Sequence, residues 1–308
     1  MRELKKTSGI ICEIERYALN DGPGIRTLVF FKGCPLRCKW CSNPETHNFH
    51  PELYYYTHKC TFCGKCIAVC PYHAIRADYS RQKVITDRNI CRTCGECIKA
   101  CPTGARSAVG MEMTVEQVME EVKKDIPFYL RGGGGVTLSG GEVLSRFEFA
   151  LEILKKSREE FIDTAVETSG YAPWDVVKEV ISYTDHVLID IKHMDPLRHR
   201  ELTGVENKLI LDNIKKIDRS KVHYIIRIPL ITGINDDESN IKAIKEFTNG
   251  LKNLREVHLL PYHTLGKSKY EYLERIYELG HLVKPHKEKI YEAAQILKDS
   301  GLNVVVGG

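Results

Sequence analysis

Arg26-Thr-Leu-Val-Phe-Phe-Lys-Gly-Cys34-Pro-Leu-Arg-Cys38-Lys-Trp-Cys41 runs from a β-rich stretch directly into three cysteines spaced C-x3-C-x2-C. Residues Arg26–Phe31 read as a buried strand, and the loop after them offers three soft thiolates with no obvious fourth. Structural tetrahedral sites are closed by four protein ligands, whereas a reactive site keeps one coordination position open, and the same logic extends from zinc to a four-iron cluster. The spacing also leaves two alternatives, a Cys3His zinc knuckle completed by His47 or His50 and a redox-active thiol pair.

Downstream, short β-rich runs alternate with amphipathic segments. The runs are Gly135–Ser139, Thr164–Thr168, His186–Ile191, Val222–Ile228 and Glu256–Leu260, and the segments include Val115–Lys124, Phe147–Lys156 and Trp174–Ile181. Repeated βα units predict an α/β chain with a parallel sheet, either open and doubly wound or a full or partial barrel, with Arg26–Phe31 as its first strand. Ligands of such folds bind at the carboxyl ends of the strands. There this chain has Ser139-Gly-Gly-Glu142, Glu167-Thr-Ser-Gly170 and Asp190-Ile-Lys192, with Arg227 in the fifth strand and His263 after the sixth, counted from Arg26–Phe31. Asp190 and Lys192, two apart on a strand, point to one face. Without further context they are a solvent-facing ion pair or a charged pocket wall.

Eleven of the twelve cysteines lie between Cys34 and Cys101. Two runs, Cys60-x2-Cys63-x2-Cys66-x3-Cys70-Pro71 and Cys91-x2-Cys94-x2-Cys97-x3-Cys101-Pro102, repeat the spacing of two-cluster bacterial ferredoxins, in which the fourth cysteine of each run serves the other cluster. One [4Fe–4S] set is therefore Cys60, Cys63, Cys66 and Cys101, and the other is Cys91, Cys94, Cys97 and Cys70. Zinc ribbons are the alternative, but they separate two C-x2-C pairs by a longer loop. The stretch is poor in long apolar runs, so its fold is expected to depend on what the cysteines bind. The expected division is 1–51 for the start of the main domain, 52–110 for a ferredoxin-like insert and 111–308 for the remainder.

The 45 basic and 41 acidic residues give a net charge of +4, too small and too evenly spread for a nucleic-acid groove or a membrane-binding patch. Met1–Lys6 is charged, Ile10–Cys12 is too short for an apolar targeting core, and no run approaches a membrane span. A cytoplasmic location is expected, where cysteines stay reduced and metal ligation is their leading use. Cys12, outside every spacing, reads as a small buried residue.

Asp21-Gly-Pro-Gly-Ile-Arg-Thr27 followed by Phe30-Phe-Lys-Gly-Cys-Pro-Leu-Arg-Cys-Lys-Trp-Cys-Ser-Asn-Pro-Glu45 resembles the opening of glycyl radical enzyme activating enzymes of the radical S-adenosylmethionine superfamily. The insert is similar to that of the longer activators, and the likeness extends over nearly the whole chain. It implies a partial parallel (β/α)6-type TIM barrel with the insert spliced in after the first strand and its cluster loop. It also implies that Cys34, Cys38 and Cys41 hold a [4Fe–4S] cluster whose open iron is chelated by the methionine moiety of S-adenosylmethionine, three clusters in all. Gly140, Gly141 and Glu142 match the motif that receives the methionine ammonium, although Val143 stands where the family often has proline. Trp40 matches a ring near the adenine or fills core, and Ser42 lies beside the nucleoside. Asp190 and Lys192 contact the cofactor. Arg227 binds the methionine carboxylate or forms a structural pair, and His263 lies against ribose or adenine. Glu167, Thr168 and Asp190 stand where the shorter activator holds a monovalent cation, with an aspartate in place of Glu167, and Asp21–Gly24 matches a contact for the target glycine loop.

The implied activity is reductive cleavage of S-adenosylmethionine to a 5′-deoxyadenosyl radical, which takes an α-hydrogen from a glycine of a partner glycyl radical enzyme. A reduced flavodoxin or ferredoxin is the implied donor, the chain is expected to be monomeric, and exposed low-potential clusters imply an anaerobic host. Two alternatives stay open: a radical enzyme acting on a small molecule, and an electron-transfer ferredoxin fused to an unrelated domain.

Overall fold

The computed structural model describes residues 7–299 and 301–307; the charged Met1–Lys6 segment of the targeting argument lies outside them. Strand β1 (Ser8–Ala18) folds back antiparallel on β2 (Ile25–Phe31), and β2 leads into the cysteine loop. The insert follows as β3 (Glu52–Tyr55), α1 (Lys65–Ala68), β4 (Ile75–Asp78), β5 (Lys83–Thr86), α2 (Glu96–Lys99) and β6 (Arg106–Val109). β3 pairs with β6 and β4 with β5, both antiparallel. Gly64 and Gly95 start the two short helices in the left-handed region, at φ 73° and 86°, which a side chain would resist. The insert's apolar centre is small. Leu53, Tyr55, Ile75, Val84 and Ala105 share it with Cys66 and Cys97, and Cys60, Cys70, Cys91 and Cys101 pack around them.

β7 (Met111–Thr114) returns beside β1. α3 (Val115–Lys123) starts on a capping box between Thr114 and Gln117, and α4 (Ile126–Gly132) precedes β8 (Gly134–Gly140). The βα alternation then runs through α5 (Phe147–Glu159), β9 (Asp163–Thr168), α6 (Trp174–Ile181), β10 (His186–Asp190), α7 (Pro196–Thr203), α8 (Lys208–Asp218), β11 (His223–Leu230), α9 (Glu238–Asn249), β12 (Glu256–Pro261), α10 (Lys267–Tyr272), α11 (Lys287–Lys298) and β13 (Asn303–Val306). One nine-stranded sheet results, in the order β13-β12-β11-β10-β9-β8-β2-β1-β7. From β2 to β13 every neighbouring pair is parallel. The parallel array therefore has seven members where the sequence reading has six, the seventh being β13. β8 has five consecutive buried residues: Val136 and Leu138 join the main apolar core, while Thr137 and Ser139 on the other face meet Arg26 and Glu167. No helix among the described residues is long and apolar enough to cross a membrane.

The segment that spans α10 and runs on to Tyr277 ties the insert to the cysteine loop. Lys269 Nζ donates to Asn43 Oδ1 at 2.8 Å and Glu45 Oε1 at 2.5 Å, and the Tyr270 hydroxyl donates to the Cys41 carbonyl at 3.2 Å. On the insert side, Tyr272 packs edge-on against Tyr56, Arg88 donates to Glu274, and Arg275 bridges the Pro44 carbonyl and Glu52.

Arg26 is fully buried. Its Nε donates to Thr137 Oγ1 at 2.6 Å, Nη1 to Asp163 Oδ1 and the Pro23 carbonyl, and Nη2 to the Val136 carbonyl. It thus pins the 21–24 turn under β8 and β9. Arg26→Met strands these acceptors and is expected to cost about 3 kcal/mol, lowering the melting temperature by about 5 °C; a thermal scan of the iron-loaded protein checks it.

Candidate active site

The carboxyl ends of the parallel strands surround a cavity of about 260 Å³. The loop after β2 lends Cys34, Cys38, Trp40, Cys41 and Ser42; β8 lends Ser139 to Glu142; β9 lends Glu167, Thr168 and Ser169. β10 adds Asp190 and Lys192, β11 adds Arg227, and the end of β12 adds Tyr262 and His263. The first cysteine group, the nine residues expected to meet S-adenosylmethionine and Thr168 of the expected cation site thus line one cavity. Neither His47 nor His50 lines it. His47 is half-buried outside it, and desolvation, with Arg37 nearby, pushes its imidazole down to about 3.

Burial drives the three thiols upward, Cys41 to about 12 and Cys34 and Cys38 in the same direction. Three neighbouring thiols that resist ionisation become ligands only when a cationic centre takes their protons' place. The local dipoles favour that: the Asn43 amide points at Cys41 Sγ from 3.4 Å, and the Lys192 ammonium favours the ionised form of Cys38. In the insert the amides of Phe62, Ala74 and Ala105 likewise point at Cys60, Cys70 and Cys101 Sγ, at 3.3 to 3.4 Å. Cys60, Cys63, Cys66 and Cys101 line one small cavity, and Cys97 lies among Cys91, Cys94 and Cys66. This donor set suits iron–sulfur groups.

The Gly140–Glu142 turn is stitched to the start of the cysteine loop. Gly141 N donates to the Phe31 carbonyl and Glu142 N to the Gly33 carbonyl, both at 2.9 Å. A Cβ on Gly141 would sit 2.3 Å from the Gly33 oxygen, and Gly140 has φ 103°, so the close approach of the two loops requires both glycines. Glu142 is buried at the cavity wall. It accepts from Thr168 Oγ1 at 2.5 Å, Ser169 N at 2.9 Å, Ser169 Oγ and Leu144 N at 3.1 Å, and so holds the end of β9 in place.

Across β9, β10 and β11 runs a ladder of charge. Arg227 Nη1 donates to Glu167 Oε1, and its Nε to Asp190 Oδ1 at 3.2 Å; Lys192 Nζ donates to Asp190 Oδ2 at 2.8 Å; Ser139 Oγ donates to Glu167 Oε2. Burial alone would raise Asp190, but Lys192 and Arg227 outweigh it and hold the carboxyl below its ordinary value. Burial opposes the charge on Lys192 and Arg227 as well, and their acidic partners more than restore it.

Asp21 joins this ladder from a loop that the sequence reading gave only a partner-contact role. Burial first, then the adjacent Glu167, push its carboxyl up from 3.8 to about 7. The unfolded chain ionises this group near 4 while the folded chain keeps its proton to about 7, so stability is expected to fall as pH rises through that window. Asp21→Asn is expected to raise the melting temperature more at about pH 8 than at about pH 5; equal gains would remove Asp21 from the buried ladder.

Trp40 is buried against Leu202, Ile231, Tyr262 and Leu279 and presents one surface to the cavity. His263 is exposed at the cavity, its Nδ1 accepting from Leu265 N at 3.3 Å, and burial holds its ring below the ordinary histidine value. The neutral imidazole offers a flat apolar face and no charge.

The model of the radical SAM superfamily matches residues 28–243, so the fold and its three-thiol cavity define a radical S-adenosylmethionine protein. The chain is 45% identical to a choline trimethylamine-lyase activating enzyme of Oleidesulfovibrio alaskensis over 86% of each chain. It is 40% identical to a trans-4-hydroxy-L-proline dehydratase activating enzyme of Clostridioides difficile, over 97% of this chain and 99% of that one. A crystal structure of a domain of a pyruvate-formate lyase-activating enzyme from Bacteroides vulgatus aligns with a TM-score of 0.50 at 38% identity, covering 57% of this chain and all of that one. The chain belongs to the activating enzymes of glycyl radical enzymes, and the fused-ferredoxin and small-molecule alternatives fall away.

Proposed function

We propose that this activating enzyme binds S-adenosylmethionine in the cavity at the carboxyl ends of the strands and generates a glycine-centred radical on its partner protein. Cys34, Cys38 and Cys41 would hold a [4Fe–4S] group, which when bound would supply the single electron that reduces the sulfonium; splitting of the C5′–S bond would release methionine, and the 5′-deoxyadenosyl radical would take one hydrogen atom from the partner's glycine to become 5′-deoxyadenosine. The single observation that carries the reading is the convergence of three half-buried cysteines, the Gly140–Glu142 turn and the Glu167–Asp190–Lys192–Arg227 ladder on one cavity.

This chain's residues bind and orient. Gly140 and Gly141 offer backbone to the methionine ammonium, while Lys192 and Arg227 supply positive charge for its carboxylate. Trp40, Ser42 and His263 flank the nucleoside, and Glu142 keeps Thr168 and Ser169 in register. The Asp21–Gly24 turn meets the partner's glycine loop. The architecture is read as a partial parallel barrel, 1–51 and 111–308, interrupted by a ferredoxin-like insert, 52–110. Its two cysteine sets, Cys60, Cys63, Cys66 and Cys101 with Cys91, Cys94, Cys97 and Cys70, hold two further [4Fe–4S] groups. Reduced flavodoxin or ferredoxin feeds the electron. The protein works as a cytosolic monomer, where its twelve cysteines stay reduced.

The test is anaerobic incubation of the reconstituted enzyme with S-adenosylmethionine, a low-potential reductant and a candidate partner, followed by electron paramagnetic resonance. A glycyl radical on the partner, with stoichiometric 5′-deoxyadenosine, supports the reading; 5′-deoxyadenosine without any protein radical across the partners of the relatives' classes refutes the protein-substrate part.

A further inference from the structure

The shorter activator of the resemblance implies a monovalent cation held by an acidic residue at the Glu167 position, by Thr168 and by the methionine carboxylate. The residues here do not fit that ion. Glu167 has one carboxylate oxygen on Arg227 and the other on Ser139. Thr168 Oγ1 donates to Glu142 and accepts from Gly170 N at 2.9 Å. Asp190 has one oxygen on Arg227 and the other on Lys192. Each side-chain oxygen that a cation would need already has a donor or an acceptor of the protein.

We propose that the Arg227 guanidinium takes the place of a metal cation, so that S-adenosylmethionine binds to this enzyme independently of potassium or sodium. The sheet dictates how it does so. Asp190 and Arg227 are register partners on adjacent parallel strands, and Glu167 lies one strand further on. The glutamate's extra methylene, relative to aspartate, lets its carboxylate reach across β10 to the guanidinium. Two carboxylates thus meet two cations, and side chains of all four are less than a fifth exposed. A further cation would enter beside a guanidinium that repels it, with both oxygens of each carboxylate already taken. The bonds to Glu167 and Asp190 occupy Nη1 and Nε and leave the second amino group of the fork, Nη2, for the methionine carboxylate. Arg227 is thereby a positioning residue for the substrate, and its charge is covalently tethered.

The inference rests on the proposed cavity binding S-adenosylmethionine, and the experiment separates the two. The dissociation constant of S-adenosylmethionine is measured anaerobically on the reconstituted enzyme in potassium, sodium and tetramethylammonium buffers of equal ionic strength. Values equal within about twofold are expected. A wild type that binds about tenfold tighter with potassium overturns the inference alone, whereas a wild type that binds in none of the buffers overturns the underlying reading. Arg227→Met is expected to weaken binding about tenfold and to regain part of it on addition of potassium, with Arg227→Lys intermediate. A folded, iron-loaded Arg227→Met enzyme that binds as tightly as wild type also counts against it.

Discussion

Cys38→Ala is expected to abolish 5′-deoxyadenosine formation while leaving the insert loaded with iron. Cys34, Cys38 and Cys41 stand on one loop at one wall of the cavity, and burial pushes all three thiols toward the protonated form. Only joint ligation to a cationic group offsets that cost, and with three ligands in total the loss of one leaves a two-point attachment beside an already open position. The eight cysteines of the two insert runs are separate in sequence, and six of them pack in or around their own small centre. Iron per chain is therefore expected to fall by one four-iron group, from about twelve atoms to about eight, with product below detection. Alanine fills less of the half-buried Cys38 position but strands no hydrogen-bonding group, so the melting temperature of the apoprotein is expected to change little. A variant that lost iron equally from every group would point to a general folding defect. One that kept its full iron content and its turnover would show that Cys38 is no ligand.

The strands that carry the site were legible because each is a short β-branched run ended by a polar or glycine-rich turn. Gly134–Gly140, Asp163–Thr168, His186–Asp190 and His223–Leu230 differ from the sequence expectation by one or two residues at most. What was not legible has local causes. β1 alternates imperfectly, because its register against β2 shifts between Ile11 and Glu13 and again between Glu15 and Ala18, so its period-2 signal breaks. β13 is only four residues long, and β7 is as short. Ladder members at strand ends were found from position and charge alone. Asp21 was not placed with them, because it reaches Glu167 from the β1–β2 turn, and no periodicity links a turn to a strand so far along the chain. The hydrogen-bond partners of Glu142 were hidden for a similar reason: Thr168 and Ser169 lie at the end of the next strand, visible only once β8 and β9 are side by side. The segment around α10 carried no motif. Its role shows only in the contacts it makes with the cysteine loop on one side and the insert on the other.

Lys192→Met is expected to lower the rate of S-adenosylmethionine cleavage about a hundredfold, corresponding to about 3 kcal/mol, without loss of iron. The side chain is 11% exposed and its ammonium lies 2.8 Å from Asp190 Oδ2. It also faces the thiols of Cys38 and Cys34, which stabilise its charge. Methionine keeps an unbranched stem one atom shorter and removes the ammonium, so packing changes little while two groups lose their counter-ion. Asp190 keeps Arg227 on its other oxygen, which limits the damage to the ladder and predicts a folded protein. The backbone here is anchored separately, through Asn235 Nδ2 on the Lys192 and Pro229 carbonyls, so the loop is not expected to move. What disappears is positive charge between the cysteine loop and the methionine subsite, where an anionic cluster and a substrate carboxylate are both proposed to sit. Lys192→Arg should recover part of the rate, since charge returns but the planar fork replaces a point donor in a tight space. Measured with saturating reductant, the loss is expected mainly in kcat/KM for S-adenosylmethionine. A Lys192→Met enzyme within about threefold of wild type would mean that Lys192 serves only Asp190, and that the methionine carboxylate is held by Arg227 alone.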